Sequence, residues 1–233
     1  MDALHCLSSM ATRALLQTLC ARWTDSIGQV VRPESVGGVN AARRIEAGES
    51  ADVVVLADDA LKALSAAGRV GAITPVALSG VSIAAPTGPT PPSVRTIAEL
   101  QKTLQASRAI GYSTGPSGKA LLAMFEQWGL LGAMKDRLVQ APPGVPVGAL
   151  LAQGAVDLGF QQHSELVHQA GIVLLGPMPP GAEIVTTFSA ARCLAGGKPE
   201  QSAAFIAYLA SPACGDAIRH EGMTPASGPS NHP

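Results

Sequence analysis

Short apolar runs alternate with helix-period segments from the first residues of this chain, and that alternation is what most narrows its fold. Ala3 to Leu7 (ALHCL) reads as a strand, and Ser8-Ser9 as a turn and helix cap. A helix is predicted from Met10 to Trp23, with Ala14, Leu15, Thr18, Leu19 and Arg22 at helical spacing. Gln29 to Pro33 gives a second strand, Ser35-Val-Gly-Gly38 a turn, and Val39 to Ala47 a second helix. Ala51 to Leu56 (ADVVVL) is a fully apolar strand, followed by a helix over Asp59 to Ala67. Strand and helix in strict succession make a parallel sheet with crossover helices.

The pattern then restarts. Residues 85 to 93 (APTGPTPPS) read as a linker or long surface loop. A short helix is predicted over Ile97 to Thr103, a strand over Arg108 to Tyr112, and a glycine-rich turn at Ser113-Thr-Gly-Pro-Ser-Gly118. Lys119 to Trp128 and Val147 to Gln153 read as helices, Val156 to Gln161 as a strand and Ser164 to Gln169 as a short helix. Ile172 to Leu175 is a further strand, and Glu183 to Ala191 a longer one that returns to the first set of units. Pro199 to Leu209 and Ala213 to His220 close the chain as helices. The expected architecture is therefore α/β in two lobes joined by two crossovers. Lobe one covers 1–82 plus 187–233, lobe two 83–186, and the ligand is expected in a cleft between them.

Composition removes several function classes. Sixteen Lys and Arg stand against 17 Asp and Glu, so the formal net charge is -1. Without clustered cations, general nucleic-acid binding has no electrostatic basis. Aromatic residues are only 3% of the chain, too few for base- or sugar-stacking platforms. No apolar run reaches 18 residues, so no membrane insertion is expected. Asp2 and the polar residues that interrupt the first 19 positions do not make a signal peptide. The expected location is the cytoplasm, or the periplasm if a signal has been removed. Cys6, Cys20, Cys193 and Cys214 form no CxxC pair and no zinc-type spacing with His. They read as reduced structural thiols, with Cys193–Cys214 pairing left open by spacing. No metal and no cofactor are expected.

Three strand-to-helix turns share one chemistry. Ser8-Ser9, Ser35-Val-Gly-Gly38 and Ser113-Thr-Gly-Pro-Ser-Gly118 each offer small hydroxyls and open backbone N–H groups at a helix start. Such turns suit a small anion, because the first amides of a helix lack partners and its dipole is positive there. The spacing Gly115-Pro-Ser-Gly118-Lys119 is not that of a phosphate P-loop.

The residues from Ser35 to Leu61, reading SVGGVNAARRIEAGESADVVVLADDAL, resemble the type II periplasmic-binding-protein superfamily, and its molybdate-binding branch in particular. Leu4 to Thr12 is similar to that branch's first strand and serine turn. Pro116-Ser-Gly118 is similar to the second-lobe turn, and Asp157-Leu-Gly-Phe160 to the strand that completes the site. The resemblance covers about residues 4 to 225. It implies a two-lobed fold and an oxyanion held by hydroxyls, amides and one tyrosine. Carried over, those positions fall on Ser9, Gly37 or Gly38, Ser117, the neighbourhood of Val145, and Gln162. Ser8, Asn40, Ser113, Gly118 and Gln161 adjoin them and complete the candidate ligand-binding set. Gln162 stands where the family has tyrosine, and glycines stand where it has a second-turn serine, which turns the expected ligand from a metal oxyanion toward a carboxylate. The stretch Gln161-Gln-His-Ser-Glu-Leu166 is similar to an aconitate-isomerase-like branch.

That resemblance implies a small di- or tricarboxylate, isomerised by an allylic proton shift. Such chemistry needs hydrogen-bond donors on the carboxylates and at least one proton-transfer group. Tyr112, Lys119, His163 and Glu165 are the titratable candidates beside the second-lobe turns. Lys119 opens a helix, where a cation opposes the dipole, and Glu165 sits in a first turn that suits its charge. Arg43 and Arg44 are further candidate cations for a carboxylate. His5, alternating with core residues in the first strand, reads as structural. The other reading is a non-catalytic substrate-binding protein for an organic acid or an oxyanion such as molybdate, with an ABC permease as its partner.

Overall fold

The computed structural model describes residues 2–226. Its elements run β1 (Leu4–Ser9), α1 (Arg13–Ile27), β2 (Val31–Val36), α2 (Gly38–Glu46), β3 (Val53–Ala57), α3 (Asp58–Ala66) and β4 (Val70–Pro86). There follow α4 (Ile97–Ala106), β5 (Ile110–Tyr112), α5 (Pro116–Gln127), α6 (Leu131–Met134), β6 (Leu138–Gln140), α7 (Val147–Ala152), β7 (Leu158–Gln162), α8 (His163–Leu166) and β8 (Ile172–Pro177). The described residues close with β9 (Val185–Cys193), α9 (Pro199–Leu209), α10 (Gly215–His220) and β10 (Thr224–Pro225). Two compact units result. One comprises the chain up to Ser79 and from Thr186 onward, the other Gly80–Val185. The chain crosses between them twice, at Ser79–Gly80 inside β4 and at Val185–Thr186 inside β9.

In the first unit β1 pairs in parallel with β2 on one side and β3 on the other, and β9 runs antiparallel along β3. The strands are apolar on both faces because helices cover both. Leu4, Cys6, Val53, Val55, Phe188 and Ala190 pack with α1, α9 and α10 residues such as Leu16, Leu19, Phe205 and Ile218. The alternate residues Leu7, Val54, Leu56 and Ala191 pack with Ala41 and Ile45 of α2 and Leu61 and Leu64 of α3. Helix α1 buries Leu15, Leu16, Leu19, Cys20 and Trp23 along one stripe, and Gly28 at φ 74° ends it in the left-handed conformation that a side chain disfavours.

The second unit repeats the theme on β4, β7, β5 and β6. β5 is parallel to both β6 and β7, and the second half of β4 lies antiparallel to β7 and β8. Ile83, Ile110, Leu158 and Phe160 meet Leu100, Leu104, Leu121 and Phe125 of α4 and α5 on one face. Ala84, Leu151, Val156 and Leu166 form the smaller cluster on the other. A capping box, Thr96 with Glu99, starts α4, and Pro116 in the first turn starts α5.

Two expectations are corrected here, the turn at Ser8-Ser9 and the role of Arg44. Ser8 and Ser9 are not a turn: they are the last residues of β1, paired with Ser35 and Val36, and although Ser9 stands in the cap position of the short helical turn Met10–Thr12, its side chain makes no capping bond. Parallel pairing with β2 carries the strand two residues further than the apolar run does. Of the two readings of the Pro- and Thr-rich run from 85 to 93, the surface loop holds: after β4 ends at Pro86 the run is irregular and exposed inside the second unit, and the first passage between units is a strand. Arg44 is held by Glu34 and Glu49, with Nη1 2.5 Å from Glu34 Oε1, so it is committed to fixing the end of α2 and not offered to a ligand. His5, 3.0 Å from Glu34, belongs to the same structural network. All four cysteines are buried and free, and burial pushes the Cys20 and Cys193 thiols up to about 12, which leaves them unreactive.

Candidate functional site

The first unit ends its parallel strands in register. Ser8 is opposite Ser35 on β2 and Val55 on β3, so the β1, β2 and β3 ends form one edge from which the chain departs into helices. Ser8 is fully buried and its Oγ is 2.8 Å from Ser35 Oγ. Ser9 Oγ lies 3.5 Å from Thr12 Oγ1, whose own O–H donates to the Ser9 carbonyl at 3.2 Å. Gly37 precedes α2 as its cap residue, and Gly38 begins it. A Cβ on Gly38 would stand 3.5 Å from that of Ser9, so these two turns touch. The structure thus brings Ser8, Ser9, Gly37 and Gly38 together. Asn40 is exposed on α2, and Arg43, one turn on, is exposed as well. Asp58 opens α3 at the same edge, its carboxylate accepting from Ser189 Oγ at 2.8 Å and pairing with Lys62 at 2.7 Å. Lys62 and Ser189 hold that carboxyl below its ordinary range, so the edge keeps an anion whose charge is compensated locally.

In the second unit the ends of β5, β6 and β7 also align: Tyr112 is opposite both Gln140 and Phe160. After Tyr112 the chain turns through Ser113 into α5. Ser113 Oγ and buried Ser117 Oγ are 3.1 Å apart. Gly118 allows this turn to be so tight, because a Cβ there would lie 1.9 Å from the Ser113 carbonyl oxygen. Lys119, the next residue, is exposed. Tyr112 is half-buried against the apolar cluster of α4 and α5. Val145, in the turn after β6, is 38% exposed.

Gln161 and Gln162 follow one another at the end of β7 and, by strand alternation, serve opposite faces. Both are buried. Gln161 Oε1 accepts the Gly148 N–H of α7 at 3.3 Å, and its Nε2 donates to Glu165 Oε1 at 2.7 Å. The two partners fix the amide's orientation, since a backbone N–H needs an acceptor and a carboxylate needs a donor. Burial pushes the Glu165 carboxyl up to about 7, against a smaller downward effect of the Gln161 hydrogen bond. His163 Nδ1 lies 2.9 Å from Ser82 Oγ, and burial, then the nearby His168, holds the imidazole below its ordinary pKa.

Of the four titratable candidates, the structure therefore gives His163 and Glu165 specific partners within the fold, places Tyr112 on an apolar cluster, and leaves Lys119 to solvent. Sequence reasoning missed Ser82, which is 3% exposed and belongs to β4. It also missed Gly148 as the amide that orders Gln161. Neither carries a sequence signal: a serine in an apolar run and a glycine in a helix both read as packing.

Comparison with known proteins follows the same lines. Over residues 4–224 the chain matches the family described as bacterial extracellular solute-binding protein. An aconitate isomerase from a Pseudomonas species is 34% identical over 187 residues, covering 78% of this chain and 70% of that protein. The periplasmic molybdate-binding protein of Azotobacter vinelandii superposes with a TM-score of 0.79 at 19% identity, over 95% of this chain and 98% of that one. The sulfate-binding protein SubI of Mycobacterium tuberculosis H37Rv gives a TM-score of 0.79 at 15% identity, over 97% and 88%. Among the described residues no helix is long and apolar enough to cross a membrane. With a family match that spans nearly its whole length and an α/β architecture in two units crossed twice, the chain belongs to the bacterial extracellular solute-binding protein family.

Proposed function

We propose that this protein binds a small di- or tricarboxylate and moves a carbon–carbon double bond within it by an allylic proton shift. The observation that carries this reading is the 34% identity to an aconitate isomerase, sustained over 187 residues. The shift is self-contained. A base takes a proton from the saturated carbon beside the double bond, and that C–H electron pair becomes the new double bond. The old π pair takes a proton at the far carbon. In between, charge spreads onto the adjoining carboxylate, which neutral donors stabilise. Ser9, Gly37 and Gly38 of the first unit and Ser113, Ser117, Gly118, Gln162 and the backbone near Val145 of the second are the proposed ligand contacts. Glu165 supports the reading, because a carboxyl near 7 can both accept and return a proton at neutral pH.

The competing reading, a non-catalytic binding protein that serves an ABC permease, is favoured by the family's description as solute-binding. Turnover separates the two. Purified protein incubated with cis- or trans-aconitate, without added cofactor, is expected to interconvert them. Saturable stabilisation by either acid with no interconversion supports the transport reading, and stabilisation by molybdate or sulfate alone removes the carboxylate class. A ligand at about 100 times its Kd adds roughly 2.7 kcal/mol of apparent stability, readily seen by thermal shift. Compartment goes with the choice: a transport role requires the periplasm, the isomerase reading is compatible with the cytoplasm, and fractionation of cells expressing the gene distinguishes them.

A further inference from the structure

We propose that Glu165 is the group that carries the proton in this reaction and that Gln161 is its positioning residue, a clamp between the first turn of α7 and the Glu165 carboxylate; this rests on the isomerase reading above. Three placements argue for it. Gln161 is the penultimate residue of β7, which extends past the aligned ends of β5 and β6. Its side chain is 3% exposed and ties two post-strand segments together, α7 through the Gly148 N–H and α8 through Glu165. Glu165 itself is only half-buried, and among the described residues Gln161 is its one side-chain hydrogen-bond partner, which leaves Oε2 for another proton acceptor or donor.

The other candidates are placed less favourably. Lys119 faces solvent, and Tyr112 rests on the apolar cluster of α4 and α5. The Nδ1 of His163 is taken by Ser82. The elements around Glu165 leave its charge unneutralised. β7, β8 and α7 contain no titratable residue, α8 adds only His163, and His168 follows two residues beyond it. A carboxylate without a cation partner is a stronger base than one in an ion pair, and the amide donor keeps it ionisable. Removing that donor must raise the carboxyl's pKa further, since the Gln161 bond favours the charged form.

The experiment measures kcat and KM for cis-aconitate against pH for wild type, Glu165→Gln and Gln161→Met. Glu165→Gln keeps an acceptor for Gln161 and is expected to lower kcat by about 10²-fold or more with KM changed by less than about threefold. Gln161→Met conserves volume and removes both hydrogen bonds. It is expected to move the acidic limb of the kcat profile to higher pH, with activity recovering as pH rises. A limb that stays in place while kcat falls equally at all pH values overturns the positioning role. Glu165→Gln with wild-type turnover overturns the assignment of Glu165 while the isomerase reading stands. A wild type that binds aconitate and never interconverts it overturns the reading and this inference together.

Discussion

Gly111 and Gly159 are register partners on β5 and β7, and the same Val147 methyl occupies the space that a Cβ on either would need. The added atom would lie 2.9 Å from Val147 Cγ1 at Gly111, and 2.8 Å from it at Gly159, where Leu151 is closer still at 2.7 Å. Two bare backbones side by side make the groove in which α7 lies, and α7 is what presents the Gly148 amide to Gln161.

Gly159→Ala is therefore expected to cost about 1–3 kcal/mol of stability by overpacking. Chemical denaturation measures it. Pairing the change with Val147→Ala should recover part of the loss, a non-additive result that reports their contact. Full additivity would place α7 away from this groove.

Both glycines sit in strands that were legible from apolar runs, and the βα alternation was legible because helices cover both faces of each sheet. β4 was not. Val70–Pro86 contains two prolines and two glycines among small residues and carries no clear strand signal of its own. It is buried by neighbours that lie far away in sequence, β7 and β8 on one stretch and β10 on another, and pairing of that kind leaves no local signature. Ser82 was lost with it, and with Ser82 the hydroxyl that meets His163 Nδ1. The turns were legible in part: Gly37 and Gly115 do precede their helices, but Ser8, Ser9, Ser35 and Val36 end strands, and Pro116, Ser117 and Gly118 already belong to α5. What each polar side chain bonds does not follow from position: Ser8 turned inward to Ser35, and Arg44 to two glutamates.

Glu165 gives a stability signature independent of turnover. Its folded pKa, about 7, exceeds the value of 4.5 for an unperturbed carboxyl, so between those values the native state holds a proton that the unfolded chain has released. Stability must then fall as pH rises from about 4.5 to 7 and level off above. Glu165→Gln removes that penalty and keeps the Gln161 hydrogen bond. Relative to wild type it is expected to be more stable at pH 8, by on the order of 1–3 kcal/mol, and nearly equal at pH 4.5. Urea unfolding at the two pH values checks this, and equal differences at both would mean that Glu165 is not buried in its proton-bound form.

Arg44 has the opposite dependence. Hydrogen bonds from its guanidinium hold the Glu34 and Glu49 carboxyls below their ordinary range, so their contribution is present above the unfolded pKa and lost as pH falls through the folded one. These groups are partly exposed, which limits the effect to about 1 kcal/mol or less in ordinary salt. Arg44→Met should destabilise modestly at pH 7, with the difference shrinking below pH 4 and in high salt, and ligand affinity should not change. An affinity loss would return Arg44 to the binding site.

Ser8 and Ser117 separate a structural hydroxyl from a binding one. Ser8 is fully buried and spends its Oγ on Ser35 at 2.8 Å and more weakly on the Ser9 carbonyl. Ser8→Ala should cost about 1 kcal/mol of stability, the worth of a buried hydrogen bond, and leave affinity within error. Ser117 is in the first turn of α5 but is not its cap, which is Gly115, and its Oγ meets only the half-buried Ser113 at 3.1 Å. Ser117→Ala should leave the helix start intact and stability nearly unchanged. If its hydroxyl serves the anion, as proposed, affinity falls by about 1–2 kcal/mol, the scale of a hydrogen bond to a charged group. Calorimetry of both variants against the same carboxylate decides the matter. Loss at Ser8 with none at Ser117 would put the anion at neither turn in the manner proposed, because the hydroxyl already satisfied by Ser35 has nothing left to offer it.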